Sequence, residues 1–184
     1  MEYAKPANDV ISPYIIFPFN KEITSKVVSN YSEIVKVATL MVARIQANKY
    51  KNRRWPEAYA MAHTQVYCEI DPLCATGYCD HHFKFFVVNM KNAEVKKMFS
   101  RHEVIINPIV IDHSPNKTTS EEACMSNPFE GIQKKQRYEW IEVEYKIPTR
   151  LPFFKGKMRK VRKICTGLKS NIFQHEIDHF NGIC

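Results

Sequence analysis

The chain has 184 residues and a formal net charge of +8, from 27 Lys and Arg against 19 Asp and Glu. This length suits one domain spanning residues 1–184, and 45% hydrophobic with 25% charged residues is an ordinary globular composition rather than a repetitive or low-complexity one. No run approaches the ~18 consecutive apolar residues needed to span a bilayer. Residues 1–11, interrupted by Glu2 and Asp9, lack the apolar stretch of a secretory signal.

Following the chain, Pro6, Pro13 and Pro18 punctuate the start. Asn30–Asn48 is then predicted to be a helix, capped by Ser29 or Asn30. Ile34, Ala38, Met41, Val42 and Ile45 recur at helical spacing and form its core face. Asn52–Pro56 breaks the pattern, Thr64–Ile70 is expected to be extended, and Asp71–His82 forms a loop. Phe83–Met90 and Val104–Ile111 carry the Val, Ile and Phe of strands, and Pro108 places the second near a sheet edge. Ser114–Ser120 is a polar loop. Trp140–Ile147 alternates, with Ile141, Val143, Tyr145 and Ile147 on one face and Glu142, Glu144 and Lys146 on the other. A basic strand at Lys157–Ile164 leads to Thr166, a plausible cap for a final helix ending at Asn181-Gly182. Strands followed by one C-terminal helix argue for an α+β fold, with mixed or antiparallel sheets packed around that helix.

The final helix contains His175-Glu176-Ile177-Asp178-His179, an H-E-x-x-H motif. Side chains four apart on a helix differ by about 40° around its axis, so both imidazoles can reach one metal ion. Glu176 would lie beside the open coordination position, where a carboxylate can take a proton from metal-bound water. Leu168, Ile172, Phe173, Ile177 and Phe180 can bury the helix and set the histidines against the interior. Two structural histidines satisfied by neighbours are the plainer alternative. A hydrolytic metal needs about three protein ligands. Cys184 lies too close along the helix end, so the third is expected upstream.

The upstream candidate is Cys124, in Glu122-Ala123-Cys124-Met125-Ser126-Asn127-Pro128. This segment, together with Gln174-His-Glu-Ile-Asp-His-Phe-Asn-Gly182, resembles the E-G-C-L-S and Q-H-E-x-D-H-L-x-G motifs of the peptide deformylase family. Ile106-Asn107-Pro108 resembles the family's I-N-P element, and Thr166-Gly167-Leu168 its helix start. The family's G-x-G-φ-A-A-P-Q motif is eroded: its best placement is Ala58-Tyr59-Ala60-Met61-Ala62-His63-Thr64-Gln65, which keeps the glutamine. An unrelated turn is the alternative for that stretch. Asn171 stands where the family has an arginine that partners Asp178, and Arg137 is a candidate substitute.

The resemblance implies hydrolysis of the N-formyl group from N-formylmethionyl peptides. The expected ion is one Fe²⁺ per chain, with Zn²⁺, Ni²⁺ or Co²⁺ as substitutes, on Cys124, His175 and His179. Metal-bound water would attack the formyl carbon with Glu176 as general acid and base. Gln65 and the Met125 backbone N–H would hold the oxyanion. The peptide would lie extended along Ala58, Ala60 and Met61. Phe129 and Arg137 are further expected substrate contacts, with Trp140 and Phe173 as candidates for a methionine pocket.

Two other classes compete: a catalytically impaired deformylase-like protein that binds metal and peptide, and a zincin-type protease, which the missing downstream ligand disfavours. Cys68, Cys74, Cys79, His81 and His82 could form a second metal site, although their spacing fits no zinc pattern and a loop of reduced thiols is the plainer reading. The basic run Lys155–Lys163 is either a solvated face or a patch for an acidic surface such as the ribosome. No nucleic-acid motif accompanies it, so specific DNA binding is not expected. The implied location is cytoplasmic in a bacterium or phage host, or mitochondrial or plastid in a eukaryote.

Overall fold

The structure, a computed structural model, describes residues 14–15, 25–51, 59–67, 82–89, 102–124, 130–149 and 156–183. In chain order the elements are β1 (Tyr14–Ile15), β2 (Ser25–Lys26), a 3₁₀ turn (Tyr31–Glu33), α1 (Val35–Lys51), β3 (Ala60–Ala62), a second 3₁₀ turn (His63–Gln65) and β4 (Val66–Tyr67). They continue with β5 (His82–Phe83), β6 (Phe85–Asn89), β7 (His102–His113), β8 (Lys117–Ala123), β9 (Ile132–Tyr138), β10 (Trp140–Pro148), β11 (Met158–Thr166) and α2 (Gly167–Phe180).

Five strands form the main sheet in the order β11-β10-β7-β6-β3, with every neighbouring pair antiparallel. The short pairs β1–β4 and β2–β5 and the hairpin β8–β9 complete the fold, and β2–β5 is parallel. The strand Phe85-Phe86-Val87-Val88 shows why the sheet is covered on both sides. Phe86 and Val88 pack with Ile141, Val143, Ile172, Phe173 and Phe180. Phe85 and Val87 pack with Ile34, Ala38, Met41 and Ile45 of the first helix region. A continuous apolar run is what a strand buried on both faces requires. The fold is therefore α+β, with α1 and α2 on opposite faces of one sheet.

The first helix begins later than expected. Asn30 caps the 3₁₀ turn rather than α1: its side chain accepts from Ser32 N–H (3.0 Å), while Glu33 accepts from Asn30 N–H (2.9 Å), a complete capping box. Gly156 holds this corner. It has φ +81°, its carbonyl accepts from Tyr31 N–H, and a Cβ there would come 2.5 Å from Asn30 Oδ1.

The expectation for Pro108 is corrected. Strand β7 lies inside the sheet, between β6 and β10, and not near an edge. Pro108 is tolerated because β6 pairs only as far as Ile106, and the β10 register slips between Glu144 and Lys146. Asn107, at φ +50°, makes the bend there. Its amide accepts from Val28 N–H (2.9 Å) and donates to Val28 C=O (2.8 Å). The polar stretch 114–120 is only partly loop, since β8 starts at Lys117.

In β10, Ile141, Val143 and Tyr145 are buried as the alternation requires. Helix α2 ends on Asn181 and Gly182 (φ +71°), but Thr166 makes no side-chain capping bond. Leu168, expected to help bury α2, is instead exposed. Among the described residues no helix is long and apolar enough to cross a membrane.

Candidate metal centre and its supporting network

Helix α2 and strand β8 bring the functional side chains together. Buried Ile172, Phe173 and Phe180 seat α2 against the sheet, which turns His175, Glu176 and His179 toward the end of β8. There Cys124 follows the last strand residue. The Cys124 thiol and the His175 and His179 ring nitrogens lie within 4.8 Å of one another. Cys124 Sγ is 3.5 Å from His179 Nε2. One ion at about 2.3 Å from sulfur and about 2.0 Å from nitrogen, in tetrahedral geometry, needs a sulfur–nitrogen edge of about 3.5 Å. The Cys124–His179 edge matches that value, and the three donors together are of the kind and closeness that could hold such a metal.

A chain of part-buried charges stands behind these donors. His175 Nδ1 is 2.9 Å from Glu122 Oε2, which leaves Nε2 as its outward ligand atom. Arg137 grips Glu122 with two parallel bonds, Nε to Oε1 and Nη2 to Oε2, both 2.8 Å. Its remaining Nη1 donates to Asp178 Oδ2 at 2.5 Å. Burial opposes the charge on Glu122, but the bonds to Arg137 and His175 outweigh it and hold this carboxyl down at about 2. Burial likewise works against Arg137, and its two carboxylate partners raise its pKa above the usual value. For His175, burial acts downward, but bonding to Cys124 and Glu122 pushes the imidazole up to about 10.

Glu176 sits on the same helix, 4% exposed. Burial raises its pKa, and the neighbouring His175 and His179 counter only part of that. Its Oε2 has no hydrogen-bond partner among the described residues. A buried carboxylate oxygen left unmatched costs free energy unless a water or ligand meets it.

The opposite wall comes from the first sheet edge. Gln65 closes the second 3₁₀ turn: its Oε1 accepts from Ala62 N–H (2.8 Å), and its Nε2 donates toward Cys124 Sγ (3.5 Å). Fixing the amide oxygen also fixes which way the NH₂ faces. The cleft mouth beside Cys124 and His175 is lined by Glu130, Gly131, Gln133 and Lys135 of the hairpin, where Gln133 donates to Glu130.

The residues expected from sequence are thus partly assembled. Cys124, His175, His179, Glu176 and Gln65 meet at one place. Ala60 lies on β3, an edge strand of the main sheet among the described residues, but the Met61 side chain is 1% exposed and packs into the α1 core. Arg137 partners Asp178, as expected for the substitute of the family's arginine, and also grips Glu122. Phe173 is fully buried against Phe86 and Tyr145, so it fills the core instead of lining a pocket. Trp140 pairs with Thr166 across β10 and β11. Ala58, Met125, Phe129, Cys68, Cys74, Cys79 and His81 lie outside the described residues, as does the side chain of His82. Asn171 donates to Ser120 Oγ (3.0 Å) and does not meet Asp178.

Glu122, which the sequence offers only as part of the cysteine motif, supports His175 through Nδ1. It lies near the end of β8, two residues before Cys124, which follows that strand.

The sequence model of the family described as polypeptide deformylase matches residues 21–184. The chain belongs to the polypeptide deformylase family. A peptide deformylase of Thermotoga petrophila is 30% identical over 102 residues, 54% of this chain and 51% of that protein. One of Clostridium beijerinckii is 35% identical over 79 residues, 43% of this chain and 50% of its own length. The chain spans about half the length of the curated relatives it matches.

Solved deformylases share the fold more completely. The crystal structure from Thermotoga maritima aligns with a TM-score of 0.66 at 22% identity, over 94% of this chain and 93% of that one. A deformylase of Acinetobacter baumannii, solved bound to Met-Ala-Ser, aligns with a TM-score of 0.65 at 21% identity, over 94% and 95%.

Proposed function

We propose that this deformylase-family chain removes the N-formyl group from N-formylmethionyl peptides. The observation that carries the proposal is convergence. Three metal-type donors, a buried Glu176 carboxylate whose Oε2 has no partner among the described residues, and a fixed amide donor on Gln65 come together beside Cys124. A thiolate with two imidazoles suits Fe²⁺, Zn²⁺, Ni²⁺ or Co²⁺ and disfavours Mg²⁺ or Ca²⁺. We assign one ion per chain to Cys124, His175 and His179, with Fe²⁺ as the native metal. Such an ion supplies Lewis acidity that brings the pKa of coordinated water toward neutrality.

The remaining steps belong to the protein's own groups. Glu176 accepts the proton of the attacking water and returns it to the peptide nitrogen as the C–N bond breaks. Gln65 Nε2 donates to the formyl oxygen as it becomes negative, helped by the Met125 N–H. Arg137, through Glu122, keeps His175 in the tautomer that presents Nε2.

Strand β3 offers the peptide an edge. Tyr59 C=O accepts from Asn89 N–H on the β6 side, while Ala62 N–H turns away to Gln65. By the alternation of an antiparallel ladder, the backbone groups of Ala60 face the open edge, where an extended peptide can pair. The Met-Ala-Ser found on the Acinetobacter baumannii relative is a peptide of the required kind. Nascent peptides are the partner we assign, met in whichever compartment makes formylmethionyl proteins. The net charge of +8 favours an acidic neighbour such as the ribosome surface.

The test is formate release from a formyl-Met-Ala-Ser peptide by chain loaded anaerobically with Fe²⁺. Turnover is expected, and Glu176→Gln should retain one ion per chain while releasing formate about 10²–10⁴-fold more slowly. A fully loaded wild type that leaves the formyl peptide intact would instead favour the impaired, peptide-binding reading.

A further inference from the structure

His63 stands where the family motif has an alanine, and its ring is not near solvent: it is 2% exposed. It opens the three-residue 3₁₀ turn that closes on Gln65. Turns this short have poor hydrogen-bond geometry of their own, so their position is set by whatever anchors them. The anchor at the Gln65 end is local, since Gln65 Oε1 accepts from Ala62 N–H three residues back. His63 supplies an anchor to a distant segment. Its Nδ1 accepts from Phe83 N–H at 2.9 Å, a bond between residues 20 positions apart. The ring stacks on Phe85, with centroids 4.8 Å apart and planes 22° from parallel, and lies against Phe83 at 6.0 Å. Because Nδ1 accepts, the ring is the neutral tautomer with its proton on Nε2. Phe85 begins β6, the strand that carries β3 through the Ala62–Phe86 pairing. The imidazole therefore ties the turn to β5 and β6, beside the edge strand β3 from which the turn leads to Gln65.

We infer that His63 is a positioning residue: its bond to Phe83 and its stack on Phe85 hold the His63–Gln65 turn so that the Gln65 amide faces the reacting carbonyl. The inference rests on the reading of Gln65 as the oxyanion donor. A conformational anchor has entered the eroded motif at the place where the family carries only a methyl group. Asparagine can substitute, because its Oδ1 stands as many bonds from Cα as the histidine Nδ1. Phenylalanine keeps the ring stack but loses the acceptor and leaves Phe83 N–H without it.

The experiment compares the Fe²⁺-loaded full chain with His63→Phe, His63→Asn, Gln65→Ala and His63→Phe/Gln65→Ala. His63→Phe is expected to lower kcat by about ten- to a hundredfold, as small misplacements of a catalytic group do, with KM and metal content unchanged. Exchange of the Phe83 amide proton should become faster in the same variant. His63→Asn should restore both slow exchange and most of kcat. In the Gln65→Ala background, His63→Phe should cost nothing further, because the group it positions is gone. Faster Phe83 exchange with kcat intact would overturn the inference, as would losses that multiply in the double variant. If His63→Phe does not fold, His63→Gln, whose acceptor lies one bond too far, replaces it with the same expectations. An unchanged kcat in Gln65→Ala would overturn the reading of Gln65 itself.

Discussion

The two walls of the cleft reach the same point by opposite routes. Along α2 and β8, support comes from charge: Asp178, Arg137 and Glu122 form a connected, part-buried ionic chain, and Glu122 carries it on to His175 Nδ1. Along β3, support is neutral: a backbone N–H holds the Gln65 amide, and a stacked imidazole holds the turn. The difference follows from what each wall must hold. Imidazole and thiolate donors around a cation need carboxylates behind them to fix tautomer and orientation. An oxyanion donor needs only a fixed direction, and a nearby carboxylate would oppose the charge it serves to stabilise. The ionic wall tolerates little change because removing one partner leaves another charge buried and unpaired. The neutral wall can lose most of its motif and still aim one amide.

The contrast can be broken at four points. The largest effect is expected for Glu176→Gln, which should lower kcat for deformylation by about 10²–10⁴-fold, the usual worth of a general acid–base group. Metal content by elemental analysis should stay at the wild-type level, and a loss of metal would instead make Glu176 part of the ionic wall. Arg137→Met comes next. With Glu122 and Asp178 left facing each other, it should destabilise the fold by about 3 kcal/mol in denaturant titration. Metal affinity should fall by about 10–100-fold. Unchanged affinity would show that the ionic wall does not orient His175.

Gln65→Ala should lower kcat by about 10²–10³-fold and cost about 1–3 kcal/mol of stability, less than Arg137→Met, because it leaves one buried neutral donor, the Ala62 N–H, without its acceptor. A stability loss as large as that of Arg137→Met would erase the distinction between the two walls. Smallest is Ala60→Pro, which removes one edge N–H from β3. A single neutral hydrogen bond is worth about 1 kcal/mol, so KM for a formylated tripeptide should rise several-fold with kcat nearly unchanged. A KM that does not move would place the peptide elsewhere in the cleft.

The ease of reading each wall from sequence followed the same division. H-E-x-x-H is local: helical spacing alone brings His175 and His179 to one side, so a pentapeptide suffices. The alternation of Trp140–Ile147 was legible for the same reason, since burial on one face of a strand leaves a period of two. The Pro108 expectation failed because edge position is one of two ways to accommodate a proline. The other, a bulge where the neighbouring strand has ended, depends on pairing that no local window contains. Leu168 matched the helical period yet lies exposed in the first turn of α2. Met61, expected beside the peptide, lies on β3, but the sheet's two-sided burial decides that its side chain enters the α1 core.

Sequence alone determined the donor types, the helix that carries two of them and the α+β order of elements, because each depends on residues a few positions apart. Tertiary structure decided which carboxylate stands behind His175, that Arg137 closes the charge chain from strand β9, and that His63 faces Phe83 and Phe85. Those bonds join residues 53, 41 and 20 positions apart. Their partners are chosen by which strands pair and which face of the sheet each side chain takes. Of the three candidate metal donors, helical period brings His175 and His179 to one side, while Cys124 depends on β8 ending beside α2.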